Sequence, residues 1–236
     1  QWYQTKLVAH QSTAPGARAL LANGSPGGLW TSDGTAGGTR VLQQRYRNDA
    51  SARLPGAWLL FGARGLRSSD RNGASAVFRW TGDALLGVVR LEEQVIEAAP
   101  LGQRVLFVTA TAAKGEELWV SDGTAAGTRI LADVWPGPFG SRPRDLTPVP
   151  GGMVFSALRP DVGRELWFTN GTAAGTRLLG DVAPGPPSSQ PADFAVLGDD
   201  LYYSAQSAAT GRELFRSPLR GGTCGAPKRL RGEELR

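Results

Sequence analysis

An all-β chain folded as a five-bladed β-propeller, with four antiparallel strands per blade, is what three features of the sequence point to. A phrase is written three times: "GGLWTSDGTAGGTRVL" over 27–42, "EELWVSDGTAAGTRIL" over 116–131 and "RELWFTNGTAAGTRLL" over 164–179. With the aromatic of the "LW" pair as a marker, Trp30, Trp119 and Trp167 are joined by Phe78 in "AVFRWTGD" and Phe215 in "RELFRSPL". The markers are 48, 41, 48 and 48 residues apart, so five copies of about 47 residues fill the chain. Within a copy the apolar runs are short, rich in Val, Leu, Phe, Trp and Thr, and bounded by Gly, Pro, Asn and Asp, as strands are. Four strands in a repeat of 40–50 residues is the period of a propeller blade.

The copies align strand by strand. The innermost strand reads "TKLVAH", "SARLPG", "QVIEAA", "RDLTPV" and "ADFAVL"; the second reads "ARALLA", "AWLLFG", "RVLFVT", "GMVFSA" and "DLYYSA". The third carries the marker aromatic. The fourth reads "TRVL", "LGVVRL", "TRILADV", "TRLLGDV" and "KRLRGEE". Asp33-Gly34, Asp122-Gly123 and Asn170-Gly171 stand between strands three and four. Such pairs favour a two-residue type I′ hairpin, which needs positive φ at both central positions. The expected organisation is one domain over 1–236, with blades at about 1–42, 43–90, 91–133, 134–182 and 183–236. "QWYQTKLVAH" either starts the first blade in phase or pairs beside the last one to close the ring.

Composition narrows the functional classes. Apolar residues make up 41% and charged residues 20% of the chain, the balance of a globular domain rather than a disordered one. No stretch of 18 apolar residues is present, so no membrane insertion by a helix is expected. The net charge is +5, but the arginines are scattered rather than gathered on one stripe with stacking aromatics, so no nucleic-acid partner is expected. Cys224 is the only cysteine, which excludes an internal disulfide and a multi-cysteine zinc site. The oligomeric state is left open.

"ELWVSDGTAAGT" and "ELWFTNGTAAGT", followed by "DVWPGPFGSRPRDLTPVPGGMVFSA" and "DVAPGPPSSQPADFAVLGDDLYYSA", resemble the ELWxxDGT repeat family. The likeness is close over about 115–215, good around 28–42, and weak over 43–110 and after 216. The resemblance implies a large, secreted or surface-exposed bacterial protein. It brings no catalytic or ligand residues with it.

Residues that repeat in register suit structure. The marker aromatics are expected to pack between blades rather than to serve as sugar platforms. The Asp of "SDGT", replaced once by Asn170, is expected to shape its turn rather than to hold a metal, because a calcium loop needs several oxygen ligands at alternate positions. The "NGS" and "NGT" matches at 23–25 and 170–172 are too short to argue glycosylation. His10 is the only histidine, and no nucleophile pattern accompanies it. A carboxylate glycosidase would need a pair of acids that breaks the repeat; Glu92, Glu93, Glu97, Asp161, Asp199 and Asp200 break it, but nothing in the sequence pairs them across a pocket. The expectation is therefore no enzyme, no cofactor and no metal.

Function on a repeat scaffold sits where the copies differ. The connections from strand four to the next blade read "QQRYRNDAS" (43–51), "VWPGPFGSRPR" (134–144) and "VAPGPPSSQPA" (182–192). They place Arg45, Tyr46, Arg47, Trp135, Phe139, Arg142 and Arg144 at one end of the blades. Aromatics and arginines are what binding hot spots are made of, so these seven residues are the expected ligand-binding set, for a protein or glycan partner. The alternatives are that the aromatics fold over a blade edge, and that the chain is an assembly unit of a larger repeat protein.

Overall fold

The structure is a computed structural model describing residues 5–11, 18–23, 28–44, 46–64, 75–82, 84–207, 209–220 and 223–230. Among them every regular element is a strand. The first sheet holds β1 (Thr5–Gln11), β2 (Arg18–Asn23), β3 (Gly28–Ser32) and β4 (Arg40–Gln44). The second holds β5 (Tyr46–Leu54), β6 (Ala57–Arg64), β7 (Ala76–Trp80) and β8 (Leu85–Arg90). The third holds β9 (Glu97–Leu101), β10 (Arg104–Thr111), β11 (Gly115–Ser121) and β12 (Arg129–Ala132). The fourth holds β13 (Arg144–Val149), β14 (Gly152–Arg159), β15 (Gly163–Thr169) and β16 (Arg177–Gly180). The fifth holds β17 (Ala192–Leu197), β18 (Asp200–Ser207) and β19 (Gly211–Arg220), with β20 (Thr223–Cys224) and β21 (Lys228–Arg229) both paired to β19.

Each sheet is an antiparallel meander in sequence order, so the chain has the propeller fold, with four four-stranded sheets and a fifth whose fourth strand position holds two short pieces. The fifth departs from the expected "KRLRGEE" strand, since its fourth position is split into two short pieces. Pro227 stands between those pieces and cannot donate to a ladder. β1 opens the first sheet in phase, and residues 1–4 of "QWYQ" lie outside the described residues.

Two compact units are distinguished: Gln1–Ala110 with Val120–Arg129, and Thr111–Trp119 with Ile130–Arg236. In the first, Val8, Leu20 and Leu29 form one core with Tyr46, Leu60, Phe78 and Trp80, and Phe61 lies against Phe107 with ring centroids 4.8 Å apart. In the second, Val154, Leu166, Phe168 and Leu179 pack with Leu201, Tyr203, Ala205 and Phe215. The residue before the marker aromatic is fully buried in the first four copies, at Leu29, Val77, Leu118 and Leu166. Burying such a side chain stabilises by roughly 1.5–3 kcal/mol. The marker itself is buried at Phe78, Trp167 and Phe215 and half-buried at Trp30 and Trp119. Tyr203 stacks on Phe215 at 5.7 Å.

The connection between strands three and four is not a two-residue hairpin. β3 ends at Ser32 and β4 begins at Arg40, which leaves a seven-residue loop, and φ is positive at Gly34 but not at Asp33. Side chains close it instead. Asp33 Oδ1 accepts from the Thr35 amide at 2.9 Å and from its hydroxyl at 2.7 Å. Thr35 Oγ1 accepts from Gly38 N, and Thr39 Oγ1 donates to Thr35 O. The same bonds recur through Asp122, Thr124, Gly127 and Thr128, and through Asn170, Thr172, Gly175 and Thr176. The second glycine has a steric reason: a Cβ on Gly38 would lie 1.9 Å from Asp33 Oδ1. Hydrogen bonds from Thr35 and Thr124 hold Asp33 and Asp122 below the usual carboxylate range. Asn170 does the same work uncharged, which makes this turn chemistry.

Candidate functional site

The connection between β12 and β13, residues 133–143, is built around one buried carboxylate. Glu117 sits on β11 between Glu116 and the core residue Leu118, and is 0% exposed. Its oxygens accept from Val134 N and Trp135 N at 3.1 Å, from Ser141 N at 2.8 Å and from Ser141 Oγ at 2.6 Å. Both ends of the loop are thus tied to one side chain. Burial pushes Glu117 above the usual carboxylate range, while the donors from Ser141, Trp135 and Val134 pull it back.

Backbone contacts fix the rest of the loop. Glu116 and Gly140 form an isolated parallel bridge, and the chains approach so closely there that a Cβ on Gly140 would lie 2.3 Å from Glu116 N. Arg142 N donates to Glu116 O at 3.0 Å, and Arg142 O accepts from Arg164 Nη1 at 2.9 Å. Between these bonds Arg142 holds a left-handed φ of 49°, a conformation that disfavours non-glycine residues.

On this frame the aromatics and cations are displayed unequally. Trp135 is half-buried and Phe139 is 65% exposed, and their rings stack with centroids 5.8 Å apart and planes 29° from parallel. Arg144, on β13, pairs with Glu116 at 2.7 Å. Arg164, on β15, donates to Ser156 Oγ at 3.2 Å. Burial, then the nearby charge of Arg144, lowers the Arg164 guanidinium from its ordinary value, and Arg142 adds to this. The side chain of Arg142 is exposed, and among the described residues none pairs with it.

The second unit contains the same loop again, 48 residues on. Glu165, also 0% exposed, accepts from Val182 N, Ser189 N and Ser189 Oγ at 3.1, 2.8 and 2.6 Å. Gln190 N donates to Arg164 O, Gln190 O accepts from Arg212 Nη2, and Gln190 holds a φ of 46°. Where the first loop has Trp135, Phe139, Arg142 and Arg144, this one has Ala183, Pro187, Gln190 and Ala192. The frame therefore forms without aromatics or cations.

The expected ligand set is divided accordingly. Trp135, Phe139, Arg142 and Arg144 come together on one loop and the strand after it. Tyr46 does not belong with them. It opens β5 and is 4% exposed, with its ring edge-on to Phe78 at 5.8 Å. Of the polar run, residues 43–44 and 46–51 are strand rather than loop, in β4 and β5, and alternation along β5 turns Tyr46 inward. Arg45 lies outside the described residues, and Arg47 is placed as a backbone position of β5.

Sequence reasoning missed Glu117 and Glu165. The signal was an acid recurring inside an apolar strand, each with a Ser 24 residues later. Two of the acids that break the repeat pair with cations, Asp161 with Arg159 at 2.6 Å and Asp200 with Arg216 at 3.5 Å. Among the described residues no three His, Cys, Asp or Glu side chains group as metal ligands.

No family model matches the chain, and no curated protein does. Solved structures show its fold. A prolyl endopeptidase superposes with a TM-score of 0.55 at 14% identity, over 95% of this chain and 35% of that one. A puromycin hydrolase gives 0.56 at 12% identity, over 97% and 38%. An oligogalacturonate lyase in complex with manganese gives 0.52 at 12% identity, over 87% and 60%. The chain thus spans little more than a third of the first two structures. These neighbours correct the expectation that the chain is no enzyme. Propeller domains of this fold occur in two hydrolases and a lyase, so a register of structural repeats is no argument against catalysis, and the likeness, at such identities, is one of fold.

Proposed function

We propose that the chain is a propeller module that binds a protein or glycan partner through the loop 134–143, with Trp135, Phe139 and Arg142 as the contacting side chains and Arg144 as their charged support. One observation carries the reading. The following blade builds the same loop on the same Glu–Ser frame with Ala183, Pro187 and Gln190, so folding does not require the aromatic pair or the cation. A large ring held 65% exposed on a loop tied down at both ends leaves apolar surface in water, at a cost that a partner covering it recovers. Aromatic side chains supply large contact area at low conformational cost, and arginine supplies a planar fork of donors, which is why binding energy concentrates on them.

The resemblance to the ELWxxDGT repeats supports placing the module in a secreted or surface-exposed bacterial protein; labelling of intact cells with an antibody to the chain tests that placement. The binding reading is tested by presenting the whole chain to an array of glycans and to surface extracts. Specific capture that is lost in Phe139→Ala supports it. Capture that Phe139→Ala and Trp135→Ala leave unchanged would falsify it.

A further inference from the structure

We infer that the ligand of the loop 134–143 is an acidic sugar, with Phe139 stacking against the ring and Arg142 pairing with the carboxylate; this deepens, and rests on, the reading of that loop as the binding face. Charge is the first argument. Three arginines meet here, and two are engaged: Arg144 by Glu116, and Arg164 by Ser156 and the carbonyl of Arg142. The third, Arg142, carries its guanidinium into solvent with no partner among the described residues. Its planar fork matches a carboxylate through two parallel hydrogen bonds. Burial first, then Arg144 and Arg142, disfavour the protonated form of Arg164, while Asp145 and Glu116 offset part of that effect. No acid pairs with Arg142 among the described residues, and an exposed unpaired guanidinium favours an anion over a neutral ligand.

Geometry is the second. Phe139 and Arg142 are three residues apart, which bounds their Cα separation at about 10 Å. A ring stacked on Phe139 then has its own carboxylate, or its neighbour's, within reach of Arg142. The left-handed backbone of Arg142 is fixed by hydrogen bonds on both sides, so the point from which the cation extends is set by the loop.

The third argument separates a sugar from an acidic peptide. An extended peptide gains affinity by pairing its backbone with exposed N–H and C=O groups. Here the amides of Val134, Trp135 and Ser141 are taken by Glu117, and both backbone groups of Arg142 by Glu116 and Arg164. What the loop displays outward is the Phe139 ring and the Arg142 side chain, and a ring face with a carboxylate is what the two together fit.

The test is calorimetric titration of the whole chain with a tetra-uronate, with its carboxyl-reduced neutral counterpart and with a penta-glutamate peptide. The tetra-uronate is expected to bind at least about tenfold more tightly than the neutral sugar, the scale of one charge-assisted hydrogen-bond pair. Arg142→Gln, the side chain found at the equivalent Gln190, is expected to weaken uronate binding by about the same factor without loss of fold, and Phe139→Ala to remove most of it. Equal binding of the two sugars, or an Arg142→Gln variant that binds uronate undiminished, overturns the carboxylate assignment, and the loop reading survives if Phe139→Ala still weakens binding. Phe139-dependent binding of the peptide with neither sugar bound overturns the sugar class. Binding of none of the three, or binding indifferent to Phe139→Ala, overturns the inference, and the second of these removes the loop reading too.

Discussion

The loops 134–143 and 182–191 share a frame and differ in their display, and the difference separates what the fold requires from what it carries. Each hangs from a fully buried glutamate by two or more backbone amides and one serine hydroxyl. Each ends in a left-handed residue clamped between a strand carbonyl and an arginine. One then shows a stacked Trp135–Phe139 pair and an unpaired guanidinium. The other shows prolines and an amide. Two blades built on one frame contain their own control experiment.

The comparison is broken most severely through the frame. Glu117→Ala leaves three amides and a hydroxyl without their acceptor, and each orphaned buried donor costs roughly 1–3 kcal/mol. We expect the variant to lose about 3 kcal/mol or more in urea unfolding, with Glu165→Ala in the same range. A cost confined to one of the two would show that the frames are not equivalent.

The pH dependence sharpens the same point. Burial raises both glutamates, so between the ordinary carboxylate value and the raised one the folded chain binds more protons than the unfolded chain. Their contribution is then greatest below the ordinary value and declines as pH rises through the raised one. Glu117→Gln should remove its share of that decline, seen as a shallower fall of the unfolding midpoint with rising pH. Asp122 has the opposite sign: its carboxylate is held low by Thr124, so its contribution is present above the ordinary value and lost as acid protonates it. Asp122→Ala should cost about 1 kcal/mol at neutral pH through the lost hydrogen bonds. Asp122→Asn, which copies Asn170, should cost less than half of that and remove its share of the acid limb, leaving the share of Asp33.

The smallest effect on stability is expected at the displayed residues. Phe139→Ala and Arg142→Gln should each stay within about 0.5 kcal/mol of the parent in unfolding, as surface changes do. The converse graft, Pro187→Phe with Gln190→Arg, should raise the number of uronate sites per chain from one to two in titration. An unchanged stoichiometry would mean that Trp135 behind the platform, or Arg144 beside it, is indispensable.

The strand pattern was legible because period-two alternation and a 48-residue repeat report the same thing twice. "RDLTPV" and "ADFAVL" coincide with β13 and β17 residue for residue. The loop chemistry was less so. "DG" suggested a two-residue hairpin, but the closing bonds come from the threonines on either side of "AAG", whose hydroxyls carry no hydrophobic signal. Tyr46 reads as a loop residue in the sequence because charged and polar neighbours conceal its inward position on β5. Glu117 and Glu165 stayed hidden for the opposite reason: a carboxylate is rarely fully buried, and only the count of its donors shows why it is tolerated. Trp135, Phe139, Arg142 and Arg144 were legible as departures from the repeat.

The loop between strands three and four has a consequence for how such a chain grows. Nearly all its closing hydrogen bonds run between residues of one eight-residue phrase, Ser32 to Thr39, Ser121 to Thr128 or Thr169 to Thr176. A duplicated gene segment therefore arrives with its outer hairpin already able to close, whatever lies beside it. Copying is cheap at that end of the blade, and the end that must meet new neighbours is free to diverge into an address.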